Sequence, residues 1–308
     1  MSGIGVILNP HSRSNRQNPE RLTRLGFIIG DKGALKSTQD ISDLPTIMHE
    51  FKERQIDILA ISGGDGTNHC TLTTLINEYG DTPLPKIAFL RGGTMNAIAE
   101  SLHIYGSPEQ ILSNLIFKYH EDQPFEVEEV DVMNINGKYG FLFGNGLIVR
   151  FLEIYYKNKG GPLDALWLFV RVVAGVIFNT KRSQMLVERF DAEVIAGGEK
   201  WGFKNFSFID AGTIEDFCFG FKPLYRARSK PGCFQIMGCS GTARQILSTF
   251  PSIFMGRKMP RRLYEDSLVS EAEIHLERPQ TYMIDGDIQD ATDYIKIKTG
   301  PRLKVIVR

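Results

Sequence analysis

The chain has 308 residues, 42% hydrophobic and 23% charged, enough to bury the core of one large domain or two. Its 36 Lys+Arg balance 36 Asp+Glu, so the net charge of zero gives no global attraction for nucleic acid. The four cysteines form no C-x-x-C pair and none lies at zinc spacing from a histidine, which points to a reducing compartment without a metal cluster.

The first residues, MSGIGVILNP, enter a strand at once and lack the basic and long apolar regions of a signal peptide. Residues 4–8 are an apolar run ending at Asn9-Pro10. SDLPTIMHEFKE sets Leu44, Ile47, Met48 and Phe51 at helical spacing, with Ser42 or Asp43 as N-cap. A second strand is predicted over 56–61, a second helix over 68–78, a third strand over 86–90 and a helix over 95–103. Ser107-Pro108-Glu109-Gln110 has the form of a capping box with Pro at the first helical position, opening a helix through Phe117. Alternating β and α with short links predicts a parallel, Rossmann-like sheet covered by helices, an α/β domain over 1–125.

After Pro124 the pattern changes. Asn136-Gly137 signals a type I′ hairpin, and two strands flank Gly197-Gly198. CFQIM, TYMIDGDI, YIKIK and LKVIV are further strands, with helices near 162–179 and 240–256. Residues 126–308 are therefore expected to form a mainly antiparallel β-sandwich domain, whose last strand is free to return to the first domain. The most apolar stretch, PLDALWLFVRVVAGVIF at 162–178, is short for a bilayer span and carries Asp164 and Arg171, so it reads as a helix that is buried or lines an apolar cleft.

Charge is local. No acidic residue lies between Asp216 and Glu265, a window that holds Lys222, Arg226, Arg228, Lys230, Arg244, Arg257, Lys258, Arg261 and Arg262. Residues 121–131 are the reverse, with Glu121, Asp122, Glu126, Glu128, Glu129 and Asp131. A basic stretch in a neutral chain suits a local anionic partner such as phosphates or an acidic membrane surface; the alternative is a solvated face.

Two strand–glycine–helix units stand out. Gly63-Gly64-Asp65-Gly66-Thr67 follows one strand, and Arg91-Gly92-Gly93-Thr94 follows another. Glycine allows close backbone approach and positive φ, so the N–H groups of both loops can face one polyphosphate, aided by a helix N-terminus. Neither loop is a Walker A or a dinucleotide G-x-G-x-x-G sequence.

Gly63 to Thr67 resembles the GGDGT signature of the diacylglycerol kinase catalytic-domain family, which includes bacterial lipid kinases, sphingosine kinases and ceramide kinases and shares the signature with NAD kinases. Asn9-Pro10-His11-Ser12 resembles that family's N-P-x-S-G loop. Thr38 with Asp43 resembles its T-x-x-x-x-D element, Gly93-Thr94-Met95-Asn96 its G-T-x-N loop, and Asp285-Gly286-Asp287 its D-G-E motif. The resemblance implies a two-domain lipid kinase that uses ATP and Mg²⁺. Its nucleotide contacts would be Asn9, Pro10, His11, Ser12, Arg13, Thr38, Gly63, Gly64, Asp65, Gly66, Thr67, Asn68, His69, Gly93, Thr94 and Asn96. Asp287 would accept the proton of a diacylglycerol- or ceramide-like hydroxyl beside Asp285, and Asp65 would hold the metal, hold a metal-bound water, or brace its loop. The expected setting is cytoplasmic, peripheral to the inner face of an anionic membrane bound through Lys222–Arg262, with no nucleic acid partner and a homodimer possible. The alternatives are a nucleotide-binding regulatory protein without turnover, or a kinase of NAD or another non-lipid alcohol.

The sequence departs from that pattern in places. Arg13 stands where the first loop has Gly, Ala97 where Asp follows the Asn, and Asp287 where the family has Glu. The acidic D-x-x-D-G element that holds a structural Mg²⁺ in bacterial members corresponds here to RARSKPGCFQIM, so no such site is expected, and Lys230 is expected to fill the space. Where sphingosine kinases place an Asp for the lipid amine, GNGLIVRFLEIYY offers Arg150, with Glu153 close by.

Overall fold

A computed structural model describes residues 3–30, 33–93, 95–157, 162–217 and 220–307. The chain divides into two units, Met1–Val130 with Pro301–Arg308, and Asp131–Gly300.

The first unit contains four parallel strands, β1 (Ile4–Leu8), β2 (Gly33–Ser37), β3 (Ile58–Ser62) and β4 (Lys86–Phe89), in the order β4-β3-β1-β2. β1 and β3 are buried along their whole length, which explains their unbroken apolar sequences: helices cover both faces. Leu25 and Ile29 of α2 (Arg21–Ile29) and Leu112 and Leu115 of α6 (Pro108–His120) join Val6, Leu8, Ile58, Ala60 and Ala88 in one core. α3 (Leu44–Glu53) and α4 (Asp65–Tyr79) pack together and contribute the buried Met48, Phe51, Leu72 and Leu75. Two short helices, α1 (Arg13–Gln17) and α5 (Ala97–Ser101), follow β1 and β4. The chain moves from β1 to β2 on one side and reaches β3 on the other. The topological switch therefore falls between β1 and β3, and ligands of open α/β sheets sit at the strands' carboxyl ends there.

Three helix starts can be compared with the sequence reading. The Ser107–Gln110 capping box forms, with Pro108 opening α6. At α3 the predicted cap is corrected: Asp40 caps a 3₁₀ turn, Ile41–Asp43, and Asp43 reciprocates, so the cap lies one turn earlier, where Pro45 does not interfere. α4 begins at Asp65 and not at Asn68, because Gly64 takes the extended N-cap conformation and the helix starts at once. Asp65, Gly66 and Thr67 are thus a helical first turn, not loop.

The second unit is mainly antiparallel. β6 (Lys138–Gly140) follows β5 (Val127–Ile135), with Asn136 and Gly137 both at positive φ, the predicted type I′ turn. The strands β13 (Tyr264–Val269), β12 (Phe234–Cys239), β11 (Phe208–Gly212), β7 (Leu142–Gly146), β14 (Glu271–Ile284) and β15 (Asp287–Ile306) are neighbours in that order. β14 is shared between layers: residues 282–284 pair with β7, and 272–276 pair with β8 (Phe190–Ala196). β8 turns through Gly197-Gly198 into β9 (Glu199–Lys200) and also pairs with β10 (Asn205–Phe206). Inward residues of both layers, among them Phe143, Ile209, Phe234, Val194, Trp201 and Ile274, form one apolar cluster. YIKIK and LKVIV prove to be one strand, β15, whose Val305 pairs with Ile87 of β4 within the first unit.

Helices cover part of this unit: α7 (Leu147–Lys157), α8 (Pro162–Ile177), α9 (Lys181–Leu186), α10 (Ala243–Ser248) and α11 (Phe250–Phe254). The helix predicted over 240–256 is two short ones, since Pro251 cannot continue α10. No helix among the described residues is long and apolar enough to cross a membrane.

Candidate functional site

The carboxyl ends of the parallel strands carry nearly all residues that the sequence marks for phosphate binding. Asn9 ends β1, and its side-chain amide donates to Thr67 Oγ1 at 2.9 Å. Its Oδ1 accepts from the His11 N–H at 2.9 Å, which closes the turn at Pro10. The Ser12 hydroxyl lies 2.9 Å from the Gly92 carbonyl, tying the first loop to the third. Thr38 follows β2 and is buried, with its N–H on the Leu8 carbonyl at 3.0 Å. Arg13 opens α1. Thr94 lies outside the described residues.

One side chain that the sequence reading missed holds this cluster together. Asn15 is buried, and its amide donates to the Asn9 carbonyl at 2.8 Å and the Ser62 carbonyl at 2.9 Å. Its Oδ1 accepts from Arg21 Nη1 at 3.0 Å, and Arg21 in turn pairs with Glu109 at 3.0 Å. SRSNRQN offers no period or spacing that distinguishes Asn15 from its polar neighbours; only the fold makes it central.

The glycines are needed first for each other. A Cβ on Gly93 would lie 2.3 Å from Gly64 Cα, and one on Gly92 would lie 2.8 Å from the Gly63 nitrogen. A Cβ on Gly63 would strike Thr67 at 2.4 Å. The loops after β3 and β4 therefore meet backbone to backbone, a contact that no larger residue permits. Beside them Asn96, at φ 51°, accepts from the Gly93 N–H at 3.0 Å.

Asp65 joins the two loops. Its Oδ2 accepts from the Ala97 N–H at 3.1 Å and its Oδ1 from the Ile98 N–H at 3.4 Å. Although the residue as a whole is half-buried, its carboxylate is enclosed. Burial raises its pKa above the usual carboxylate value, against the opposing pull of the Ala97 and Ile98 N–H groups. Bracing the loop is the role its contacts display. Each oxygen nonetheless keeps lone-pair capacity.

The donor set suits a polyphosphate. The first-turn N–H groups of the 15-residue α4 point out of the helix with its positive dipole end. Asn68, in the same turn, is 4% exposed, and its Oδ1 has no partner among the described residues. Such an orphaned polar atom marks a place where a ligand or water is expected. His69 follows and is also buried.

In the second unit, Asp285 and Gly286 form the turn between β14 and β15, both at positive φ (47° and 82°). Asp285 is buried, and its carboxylate accepts from the N–H of Phe141 at 2.9 Å and of Leu142 at 2.7 Å. A Cβ on Gly140 would approach that carboxylate to 2.9 Å. The turn is thus pinned to the β6–β7 bend from inside, which leaves the next acid, Asp287, exposed. Asp287 Oδ2 accepts from Gln289 Nε2 at 2.9 Å, and Gln289 Oε1 accepts from Lys138 Nζ. Tyr156 of α7 donates to the Gly286 carbonyl. Gln289, Lys138 and Tyr156 were not marked by the sequence, since they come from three separate strands and helices.

Two expected substitutes for family features are located as well. Arg150 donates to the carbonyls of Leu186 and Glu188, each at 2.8 Å, at the end of α9; it is committed to backbone. Lys230 is exposed and has no ion pair among the described residues, while Asp131 accepts from the Gly232 N–H at 2.8 Å. The carboxylate beside that loop is therefore supplied from β5, not from the loop itself.

Residues 3–127 match the family model described as the diacylglycerol kinase catalytic domain, so the family resemblance seen in the motifs holds over that span. A diacylglycerol kinase of Staphylococcus saprophyticus is 24% identical over 200 residues, covering 62% of this chain and 60% of its own length. A diacylglycerol kinase of Staphylococcus aureus is 28% identical over 140 residues, covering 44% of this chain and 40% of its own length. The chain spans 60% or less of the length of these curated relatives. A crystal structure of a diacylglycerol kinase from Bacillus anthracis superposes with a TM-score of 0.67 at 14% identity, covering 100% of this chain and 97% of that one. At that identity it shows the fold: an α/β domain with parallel strands and a mostly antiparallel domain.

Proposed function

We propose that the protein is an ATP-dependent lipid kinase that transfers the γ-phosphate to the hydroxyl of a diacylglycerol- or ceramide-like lipid. The observation that carries this reading is the D-G-D turn. Asp285 holds the turn through the Phe141 and Leu142 N–H groups, and Asp287, the first residue after the turn, is exposed with one oxygen fixed by Gln289.

Bound ATP supplies the phosphoryl group, and Mg²⁺ on its phosphates supplies most of the charge neutralisation such a transfer requires. The chain's own residues position and orient. The α4 first turn and the interlocked glycine loops offer N–H donors to phosphate oxygens without side chains in the way. Asp65 fixes the second loop against the first and has lone pairs left for a water on the metal, a ligation Mg²⁺ favours because it dehydrates reluctantly. Asp287 Oδ1 is left to accept a hydrogen bond from the lipid hydroxyl. A carboxylate is a weak base for an alcohol, so it would orient the oxygen first and take the proton late, as the lipid O–P bond forms and the bond from the γ-phosphorus to the β-phosphate oxygen breaks, with ADP as the leaving group. The chain Lys138–Gln289–Asp287 holds the carboxylate in the rotamer that does this and offsets its shorter reach relative to Glu.

The test is transfer of labelled phosphate from ATP and Mg²⁺ to diacylglycerol, monoacylglycerol, ceramide, sphingosine and phosphatidylglycerol in mixed micelles, with NAD as soluble control. A labelled lipid that disappears in Asp287→Asn, with ATP binding retained, supports the reading and names the acceptor. Equal rates in wild type and Asp287→Asn overturn the role of Asp287. ATP binding without any labelled product points instead to a regulatory nucleotide-binding protein.

A further inference from the structure

α8 presents the reverse of an ordinary surface helix. Its inner side is anchored by Phe169, whose ring lies 5.1 Å from Phe221 and 5.7 Å from Phe250. Its outer side carries Leu166, Trp167, Val170 and Ile177, followed by Phe178, all exposed. Trp167 is 62% exposed and Phe178 79%, values at which solvent would ordinarily select polar residues. The patch extends to the end of α11. Phe221 lies tilted against Phe254 at 4.3 Å between ring centroids, and Phe254 and Met255 are themselves exposed.

Positive charge borders this patch. Arg257, Lys258, Arg261 and Arg262 lie within seven residues after Met255, are exposed, and have no ion pair among the described residues. Two other cations of the basic stretch are already engaged: Lys222 with Asp216 at 3.7 Å and Arg226 with Asp266 at 3.1 Å. Of the exposed cations without an ion pair, Arg257, Lys258, Arg261 and Arg262 are those that follow the exposed end of α11 in the chain. Arg171, on α8, is exposed as well; Asp164, in its first turn, is the acidic residue on the helix.

We infer that the outer face of α8, with Phe254 and Met255, inserts into the interface of an anionic lipid bilayer while Arg257, Lys258, Arg261 and Arg262 contact its headgroups. Aromatic and aliphatic side chains on one face with cations at the border are the composition of helices that lie in the headgroup–acyl boundary. A protein partner would satisfy the apolar face equally well but gives no reason for four unpaired cations beside it. The inference deepens the lipid-kinase reading by naming the surface through which a lipid would reach the second unit. It is measured without ATP, so its failure and the failure of that reading are distinguishable.

The experiment is co-sedimentation of the full chain with vesicles of phosphatidylglycerol and phosphatidylcholine in equal parts, and with phosphatidylcholine alone, while tryptophan emission is recorded. Trp167 should move to the blue on the anionic vesicles and be quenched by brominated acyl chains, whereas the buried Trp201 should not respond. Trp167→Glu should weaken binding at least about tenfold, and the double variant Arg257→Ala, Lys258→Ala about 25-fold, at roughly fivefold per basic residue. Unchanged Trp201 emission in Trp167→Glu verifies that the unit is folded. Asp287→Asn should bind as wild type does. Binding that ignores lipid charge and both surface variants overturns the inference. So does a chain that self-associates in solution, dissociates on Trp167→Glu and leaves the vesicles unbound, which would make the face a contact between two copies.

Discussion

Asp285 offers a clean test of the D-G-D turn, because its work is local and countable. Two backbone N–H groups, those of Phe141 and Leu142, are satisfied by one carboxylate that is 2% exposed. Asp285→Ala leaves both donors without a partner and puts alanine at φ 47°. Each orphaned buried donor costs about 1–3 kcal/mol, and the left-handed conformation adds about 1 kcal/mol for a residue other than Gly, Asn or Asp, for a total of about 5 kcal/mol. Asp285→Asn tolerates the backbone and keeps one acceptor, but its amide faces the Phe141 N–H, so about 2 kcal/mol is expected. Both tryptophans belong to the second unit, so urea unfolding followed by their emission reports on that unit. With a slope of about 2 kcal/mol per molar urea, the midpoint should fall by about 2.5 M for alanine and about 1 M for asparagine. Equal midpoints for wild type and alanine, or for asparagine and alanine, would refute the account of a carboxylate that pins the turn through two N–H groups.

Three further outcomes follow from the first unit. Gly93→Ala places a methyl group 2.3 Å from Gly64 Cα; ATP affinity measured by calorimetry should fall more than about tenfold as the loops separate, with the second unit's urea midpoint unchanged. Asn15→Ala strips the Ser62 carbonyl, the part-buried Asn9 carbonyl and Arg21 of their shared partner, so thermal unfolding should show a loss of about 2–4 kcal/mol; Asn15→Asp should not rescue it, since the donors are lost. The third concerns pH. Asp65 has a raised pKa in the folded state, so the folded chain holds a proton that the unfolded chain releases, and this contribution is present at low pH and lost as pH rises from the ordinary carboxylate value, 3.8, through the raised one. The stability difference between wild type and Asp65→Asn, taken from urea midpoints at successive pH, should therefore change across that window; a difference that is flat in pH would count against burial as the dominant influence on Asp65.

Much of this architecture is legible in the sequence because it rests on local rules. Uninterrupted apolar runs at 4–8 and 58–62 require a sheet covered on both faces. Ser107-Pro108-Glu109-Gln110 starts a helix wherever it occurs, and Asn136-Gly137 closes a hairpin for backbone reasons alone. The short glycine-rich signatures and the D-G-D turn likewise announce themselves, since positive φ and close backbone approach leave few residue choices.

What only the tertiary structure decides is how those pieces are held and which way they face. The sequence marks Gly93 for a ligand, but it is the packing of one loop on another that forbids a side chain there. It marks Asp65 for a metal, a metal-bound water or the bracing of its loop, and the packing of that loop brings the Ala97 and Ile98 N–H groups to its oxygens. The links from Asn15 to Ser62, from Gln289 to Lys138 and from Tyr156 to Gly286 are invisible in the sequence because those partners lie far along the chain, and hydrogen bonds between distant residues leave no period. The same holds for α8. Its composition says only that it is apolar; which of its side chains meet Phe221 and Phe250 and which remain outside is set by the helices packed beneath it. Periodicity records the local geometry of a backbone, whereas a site is a meeting of distant segments, and that meeting is fixed by packing.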